Sequence, residues 1–188
     1  MIVAAYSGTG KTTLAKLYPQ MVIDFVCMPY KYQLNKSNKY NESCKANPNN
    51  ILQYEWPFNY FDAIKQNLND DKIILIPSDL YILSLLSIEK IPYTLCYPQR
   101  NAKEIYLRRF IERGNSEKFI EIFIDGWDEF LDILEKDQYG KHITMRPNQF
   151  LSDVIDVRPF LTDRNLEPNY SALKKTLDHT VATKKILQ

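Results

Sequence analysis

The stretch Ala5-Tyr6-Ser7-Gly8-Thr9-Gly10-Lys11-Thr12 constrains this chain more than any other. A short apolar run, Ile2-Val3-Ala4, leads into it. Thr13 to Tyr18 follows with helical character and is closed by Pro19. Strand, glycine-bearing turn and helix succeed one another within about twenty residues, which is the opening of a βα unit. Gly8 and Gly10 let the backbone curl tightly, with its N–H groups turned inward. The start of the following helix adds a partial positive charge at the same place.

The stretch matches G-x-x-x-x-G-K-[ST], the Walker A pattern of a phosphate-binding loop, at every fixed position but one: Ala5 stands where the first glycine would be. Ala5 is the smallest residue with a β-carbon and falls where the strand ends. Ser7, Gly8, Thr9, Gly10, Lys11, Thr12 and Thr13 are therefore the candidate phosphate cradle. Lys11 has the reach for β- and γ-phosphates, and the Thr12 hydroxyl suits Mg²⁺. A chance glycine-rich turn fits these letters too, but not the strand before them and the helix after.

With 188 residues the chain is long enough for one domain with a full core and a small appendage. The net charge of +1 gives no global case for nucleic acid or an anionic membrane. No apolar run reaches transmembrane length. Met1 leads straight into the first strand, so no signal peptide is expected. Cys27, Cys44 and Cys96 are scattered and odd in number, which reads as reduced thiols of a cytoplasmic protein.

Met21-Val22-Ile23 is a second short strand that ends at Asp24, on the edge where open α/β sheets bind ligands. Asp24 is the best-placed carboxylate for chemistry, with a turn or cap residue as the alternative. Residues 26–50 show no clear period and turn polar after Tyr32; they read as a substrate-covering insert or a surface loop. Asn59 to Leu68 has helical spacing, and Lys72 to Ile76 reads as a buried parallel strand. Leu80 to Ile88 is helical, Tyr93 to Tyr97 a strand, and Ala102 to Arg113 a helix stopped by Gly114. Arg109 and Arg113 share one face of that helix. They suit charge on a transferring phosphate, or else a solvated face paired with Glu104 and Glu112. Glu117 to Lys136 predicts one long amphipathic helix with Trp127 in its apolar stripe. His142 to Met145 is a fifth strand and Phe150 to Ile155 a further element. The alternation predicts a three-layer α/β domain over 1–156, with 157–188 as a C-terminal extension that turns helical from Tyr170.

Taken together, the chain resembles the small P-loop kinases, the adenylate-kinase-like and nucleotide-kinase group, and within it short phage-type and bacterial members. The resemblance rests on Gly10-Lys11-Thr12-Thr13-Leu14-Ala15-Lys16, Asp24, Asn47-Pro48, Tyr106 through Asn115, Gly126-Trp127-Asp128 and Phe150 through Ile155. It covers residues 1 to about 156. It implies a P-loop NTPase fold with a parallel sheet in the order 2-3-1-4-5, ATP with Mg²⁺ as cofactors, and transfer of the γ-phosphoryl group. Lys11 and Thr12 would then hold phosphate and metal, Asp24 would contact or deprotonate the acceptor, and Arg109 and Arg113 would clamp phosphates. Asp79, after the third strand, would be at the Walker B position as a second metal candidate, with Ser78 beside it as the alternative helix cap. Arg146, in the loop after the fifth strand, would lie near the adenine. Ser78-Asp79 departs from the acceptor-site sequence of true adenylate kinases.

These features predict ATP- and Mg²⁺-dependent phosphoryl transfer to a small nucleotide or nucleoside, a deoxynucleoside monophosphate among them, with no membrane partner. A polynucleotide 5′-hydroxyl kinase, with Asp24 as base and nucleic acid as partner, is one alternative. A non-catalytic NTP-binding regulatory or interaction protein is the other.

Overall fold

Ile73, Ile74, Leu75 and Ile76 are all completely buried in the computed structural model, which describes residues 1–33, 51–68, 71–160 and 168–170. A strand inside a parallel sheet covered on two sides hides both its faces and so carries a continuous apolar run. That sheet has five strands: β1 (Ile2–Ala5), β2 (Val22–Asp24), β3 (Ile73–Pro77), β4 (Tyr93–Pro98) and β5 (Lys141–Met145). All neighbouring pairs run parallel, in the order β2-β3-β1-β4-β5. β1 is central, with Ala5 opposite Pro77 on one side and Cys96 on the other. The glycine loop that follows β1 therefore emerges at the middle of the carboxyl edge, where an open sheet presents its ligand crevice.

Eight helices flank the sheet within the described residues: α1 (Lys11–Leu17), α2 (Met28–Lys31), α3 (Phe58–Gln66), α4 (Leu80–Ile88), α5 (Lys103–Glu112), α6 (Glu117–Asp125), α7 (Trp127–Glu135) and α8 (Leu151–Val154). Successive strand residues point to opposite faces. Ile2, Ala4, Ile74 and Ile76 join one core with Tyr60 and Ile64 of α3, Leu86 of α4, Tyr106 and Phe110 of α5, and Trp127 of α7. Val3, Ala5, Ile73 and Leu75 join a second core with Leu14 of α1 and Leu151 of α8. The result is helices, sheet, helices. Among the described residues no helix is long and apolar enough to cross a membrane.

Two expectations need correction. The single helix over 117–136 is two helices that meet at Gly126. A β-carbon at Gly126 would lie 2.8 Å from the Ile122 carbonyl oxygen and 3.2 Å from the Phe130 ring. The chain turns in that tight space, and the Phe130 N–H bond to the Gly126 carbonyl (2.9 Å) starts the new helix. The apolar stripe runs across the break because both helices bury residues in the same core, so periodicity alone does not reveal it. Second, the segment after β2 opens with α2, which is too short to show a period. Of the polar insert, residues 34–50 lie outside the described residues, as do 161–167 and 171–188 of the extension. The part of the extension that is described packs down: Val157 is buried with Ile155, and the Asn169 N–H donates to the Leu17 carbonyl at 2.9 Å.

Candidate functional site at the β1–α1 loop

Five carbonyls at the turn from β1 to α1 are hydrogen-bonded. Ala5 O accepts from Lys11 Nζ (2.7 Å) and from the Ser78 N–H (3.3 Å). Tyr6 O accepts from Thr9 Oγ1 (2.8 Å) and Lys11 Nζ (3.0 Å). Gly8 O faces Arg109 (3.3 Å), Thr9 O takes the Leu151 N–H (2.9 Å), and Gly10 O takes the Leu14 N–H (2.9 Å). In a trans peptide the N–H points opposite to its carbonyl. The Ser7, Thr9 and Gly10 amides therefore turn away from these donors. Gly8 and Gly10 both lie at positive φ, 80° and 93°, which glycine adopts at little cost. Alternating backbone of this kind forms a concave nest of N–H groups suited to an anion.

The floor beneath the loop is aromatic. Tyr6 is fully buried and edge-on to Tyr106, Phe123, Trp127 and Phe130, and its hydroxyl donates to the Phe123 carbonyl at 3.1 Å. A β-carbon on Gly8 would come within 2.9 Å of the Phe110 ring, and one on Gly10 within 3.1 Å of Phe150. Glycine keeps position 8 clear of the Phe110 ring and position 10 clear of Phe150. Burial pushes the Tyr106 phenol up to about 12, with Arg109 pulling the other way. The phenol stays neutral under ordinary conditions.

Lys11 and Thr12 begin α1 beside this nest. The Thr12 hydroxyl donates to Asp24 Oδ2 at 2.6 Å, so the candidate metal residue and the carboxylate of β2 are in direct contact. Ser7 is half-buried on the loop, and Thr13 is exposed one residue beyond Thr12. Arg109 is brought to the loop, while its helical neighbour Arg113 caps the C-terminus of α5 and is exposed. Arg109 bonds carbonyls: Gly8 O at 3.3 Å, Pro147 O at 3.1 Å and Gln149 O at 3.2 Å. Its guanidinium carbon lies 4.0 Å from the Phe150 ring centre and 4.7 Å from that of Tyr106. Arg146 is in the same β5–α8 turn, exposed, with its own N–H held by Gln149 Oε1 at 2.8 Å.

Asp79 caps α4, the place left open for Ser78, by accepting from the Tyr81 N–H at 3.1 Å. Its other oxygen takes Lys31 Nζ at 3.0 Å. Burial works against the Lys31 charge, but Asp79 more than offsets it and holds the ammonium above its ordinary value. Lys31 also lies 4.6 Å from the centre of the Trp56 ring. Trp56, Tyr60 and Phe25 form a stacked series, and the Tyr60 hydroxyl bonds the Phe25 carbonyl. Sequence reasoning did not find the Lys31–Asp79 pair or the Arg109–Phe150 stack, since both join segments far apart in the chain.

Cys27 lies near this edge and Cys96 under the loop. Burial raises both thiols, that of Cys96 to about 12 with Lys11 opposing. His142 is tied into structure through the Tyr97 hydroxyl at 3.0 Å from Nδ1. No group of three or more metal-ligating side chains occurs among the described residues. Comparison of the chain with protein-family models, with curated proteins and with solved structures finds no match.

Proposed function

We propose that this protein is a phosphotransferase of the small P-loop kinase type that uses ATP and Mg²⁺ and acts on a nucleotide or nucleoside. The observation that carries the proposal is the loop after β1. Five of its carbonyls are already hydrogen-bonded, its two glycines stand at positive φ as in an anion-binding nest, and Lys11 and Thr12 stand at its rim. Such a nest fits the oxygens of a polyphosphate far better than a neutral ligand.

The parallel sheet order, with the loop at the centre of the carboxyl edge, agrees with the fold this reading needs. The donor set of a threonine hydroxyl and an aspartate carboxylate is hard oxygen, which fits Mg²⁺. When bound, Mg²⁺ neutralises charge on the β- and γ-phosphate oxygens. The chain's own part is to hold those oxygens with loop amides and Lys11 and to keep Thr12 and Asp24 oriented. The acceptor side is the edge between β2 and α3, where Phe25, Tyr30 and Tyr60 meet just beyond Asp24 at the end of β2. Aromatic side chains beside a carboxylate suit a planar base carrying a hydroxylated sugar.

ADP formation from ATP and Mg²⁺, measured across NMPs, dNMPs, nucleosides and a 5′-hydroxyl oligonucleotide, tests the reading. One strongly accelerating small acceptor is the expected result. Acceleration by the oligonucleotide alone, weakened steeply by salt, would move the assignment to a polynucleotide kinase. Tight ATP binding with no accelerating acceptor would make the chain a non-catalytic NTP-binding protein.

A further inference from the structure

We propose that the carboxylate serving the metal at this site is Asp24, supplied by β2, and that Asp79, at the end of β3, does not take that part. The inference rests on the phosphotransferase reading and assigns the metal side of that same site.

The Thr12 hydroxyl has one proton, and it gives that proton to Asp24 Oδ2 at 2.6 Å. A hydroxyl committed in this way turns its lone pairs outward, available to a cation. Hydrogen bonding to a carboxylate shortens and strengthens the contact and makes the hydroxyl oxygen a better donor of electron density. Asp24 is itself well fixed. It is the last residue of β2, it pairs in register with Leu75, and the next amide, of Phe25, donates to the Leu75 carbonyl at 2.9 Å. Thr12 is fixed by α1 and Asp24 by the sheet, so the pair is set before any ligand arrives.

Asp79 is differently occupied. One oxygen takes Lys31 Nζ at 3.0 Å and the other takes the Tyr81 N–H at 3.1 Å. Its charge is balanced by the ammonium, and releasing it would cost both the ion pair and the cap of α4. Two carboxylates thus reach the carboxyl edge from adjacent strands with divided work. Asp79 holds the acceptor side of the scaffold together, and Asp24 orients the metal-binding hydroxyl.

Mn²⁺ in place of Mg²⁺ gives a readout independent of turnover. Water-proton relaxation enhancement reports Mn²⁺ held with ATP on the slowly tumbling full-length protein, and ATP affinity in EDTA is measured alongside. Asp24→Asn keeps the size of the side chain and an oxygen that can accept from Thr12, while removing the charge. It is expected to weaken Mn²⁺ binding to the protein–ATP complex about tenfold or more, with ATP affinity in EDTA unchanged within about twofold. Thr12→Val is expected to lose Mn²⁺ similarly, and Thr12→Ser to keep it. Asp79→Asn is expected to leave Mn²⁺ affinity within the same twofold range. The proposal is overturned if Asp24→Asn binds Mn²⁺ like the wild type, or if Asp79→Asn is the variant that loses it. A wild-type protein that binds no ATP, with metal or without, removes the phosphotransferase reading and this assignment together. Normal ATP binding with an Mn²⁺ response insensitive to Asp24 removes this assignment alone.

Discussion

The guanidinium of Arg109 lies over the ring of Phe150, 4.0 Å from its centre, and from there reaches the carbonyls of Gly8, Pro147 and Gln149. One side chain of α5 thereby ties the β1–α1 loop to the turn after β5. Its cation is spent on backbone oxygens that belong to the two walls of the crevice, so its first effect is on their separation.

That geometry makes Arg109→Lys a non-conservative change. Lysine keeps the charge but loses the planar fork and the stack. The variant is expected to lose about 1.5–3 kcal/mol of folding stability, the range for hydrogen bonds to charged groups, and to bind ATP more weakly. Urea denaturation and calorimetric ATP titration check the two effects. Unchanged stability with weaker ATP binding would make Arg109 a phosphate clamp and nothing more.

The three glycines at positive φ separate backbone strain from crowding. Gly8, Gly10 and Gly114 have φ of 80°, 93° and 69°. A β-carbon at Gly114 would meet nothing within 4 Å, whereas one at Gly8 would lie 2.9 Å from Phe110. Gly114→Ala is expected to cost about 1 kcal/mol, the left-handed penalty alone. Gly8→Ala adds displacement of a core ring and is expected to cost about 2–4 kcal/mol. Urea midpoints of the two variants give the order directly, and equal losses would mean that the ring yields freely.

Asp137 offers a pH-dependent test at the opposite end of the sheet. It accepts from the Tyr93 hydroxyl and from the amides of Tyr139 and Gly140, the latter two at 2.9 and 2.8 Å. Burial alone would raise its pKa, but the Tyr93 bond and the two amides outweigh it and hold the carboxyl below its ordinary value. A lowered folded value means stability that is present above the unfolded value and lost as pH falls through the folded one. Asp137→Asn is expected to be about 1–2 kcal/mol less stable than wild type at pH 7, with the gap closing below about pH 4. Denaturation at pH 7 and pH 3 measures the gap, and a constant difference would show that the charge plays no part.

Much of this was legible in the chain because local signals and burial coincide. Ile73 to Ile76 reads as a buried parallel strand because the apolar run is short, rich in β-branched isoleucine and bounded by turn residues and Pro77. The loop is legible because Gly8 and Gly10 can take the positive φ that a tight turn between strand and helix requires. The break at Gly126 is not legible, because an isolated glycine is tolerated inside a helical pattern until the space around it is known. Lys31 lies 48 residues from Asp79 and Arg109 lies 41 residues from Phe150, and no period in a sequence marks contacts of that kind. Thr12 and Asp24 were each singled out alone, but their hydrogen bond follows only from the way α1 packs beside β2.

The Lys31–Asp79 pair closes the acceptor edge with side chains 25% and 15% exposed. A pair this sheltered is between the surface case, where removal costs little, and the buried case, where an abandoned charge is costly. Lys31→Met leaves the Asp79 carboxylate without its cation, bonded to the amide of Tyr81, and is expected to lose about 1–3 kcal/mol. Asp79→Asn keeps an oxygen that can cap α4 but leaves the Lys31 ammonium without its carboxylate, and is expected to lose a similar amount. The double variant removes both charges, so its loss is expected to fall short of the sum by about 1–2 kcal/mol. Urea denaturation of the four proteins yields that coupling. Lys31 is held above its ordinary value, so its contribution is present at neutral pH and is lost only as pH rises through the raised folded value. The coupling is therefore expected to be the same at pH 6 and pH 8. An additive cycle would mean that the two charges are screened apart in solution and that the edge is held by the aromatic stack of Phe25, Tyr60 and Trp56 instead.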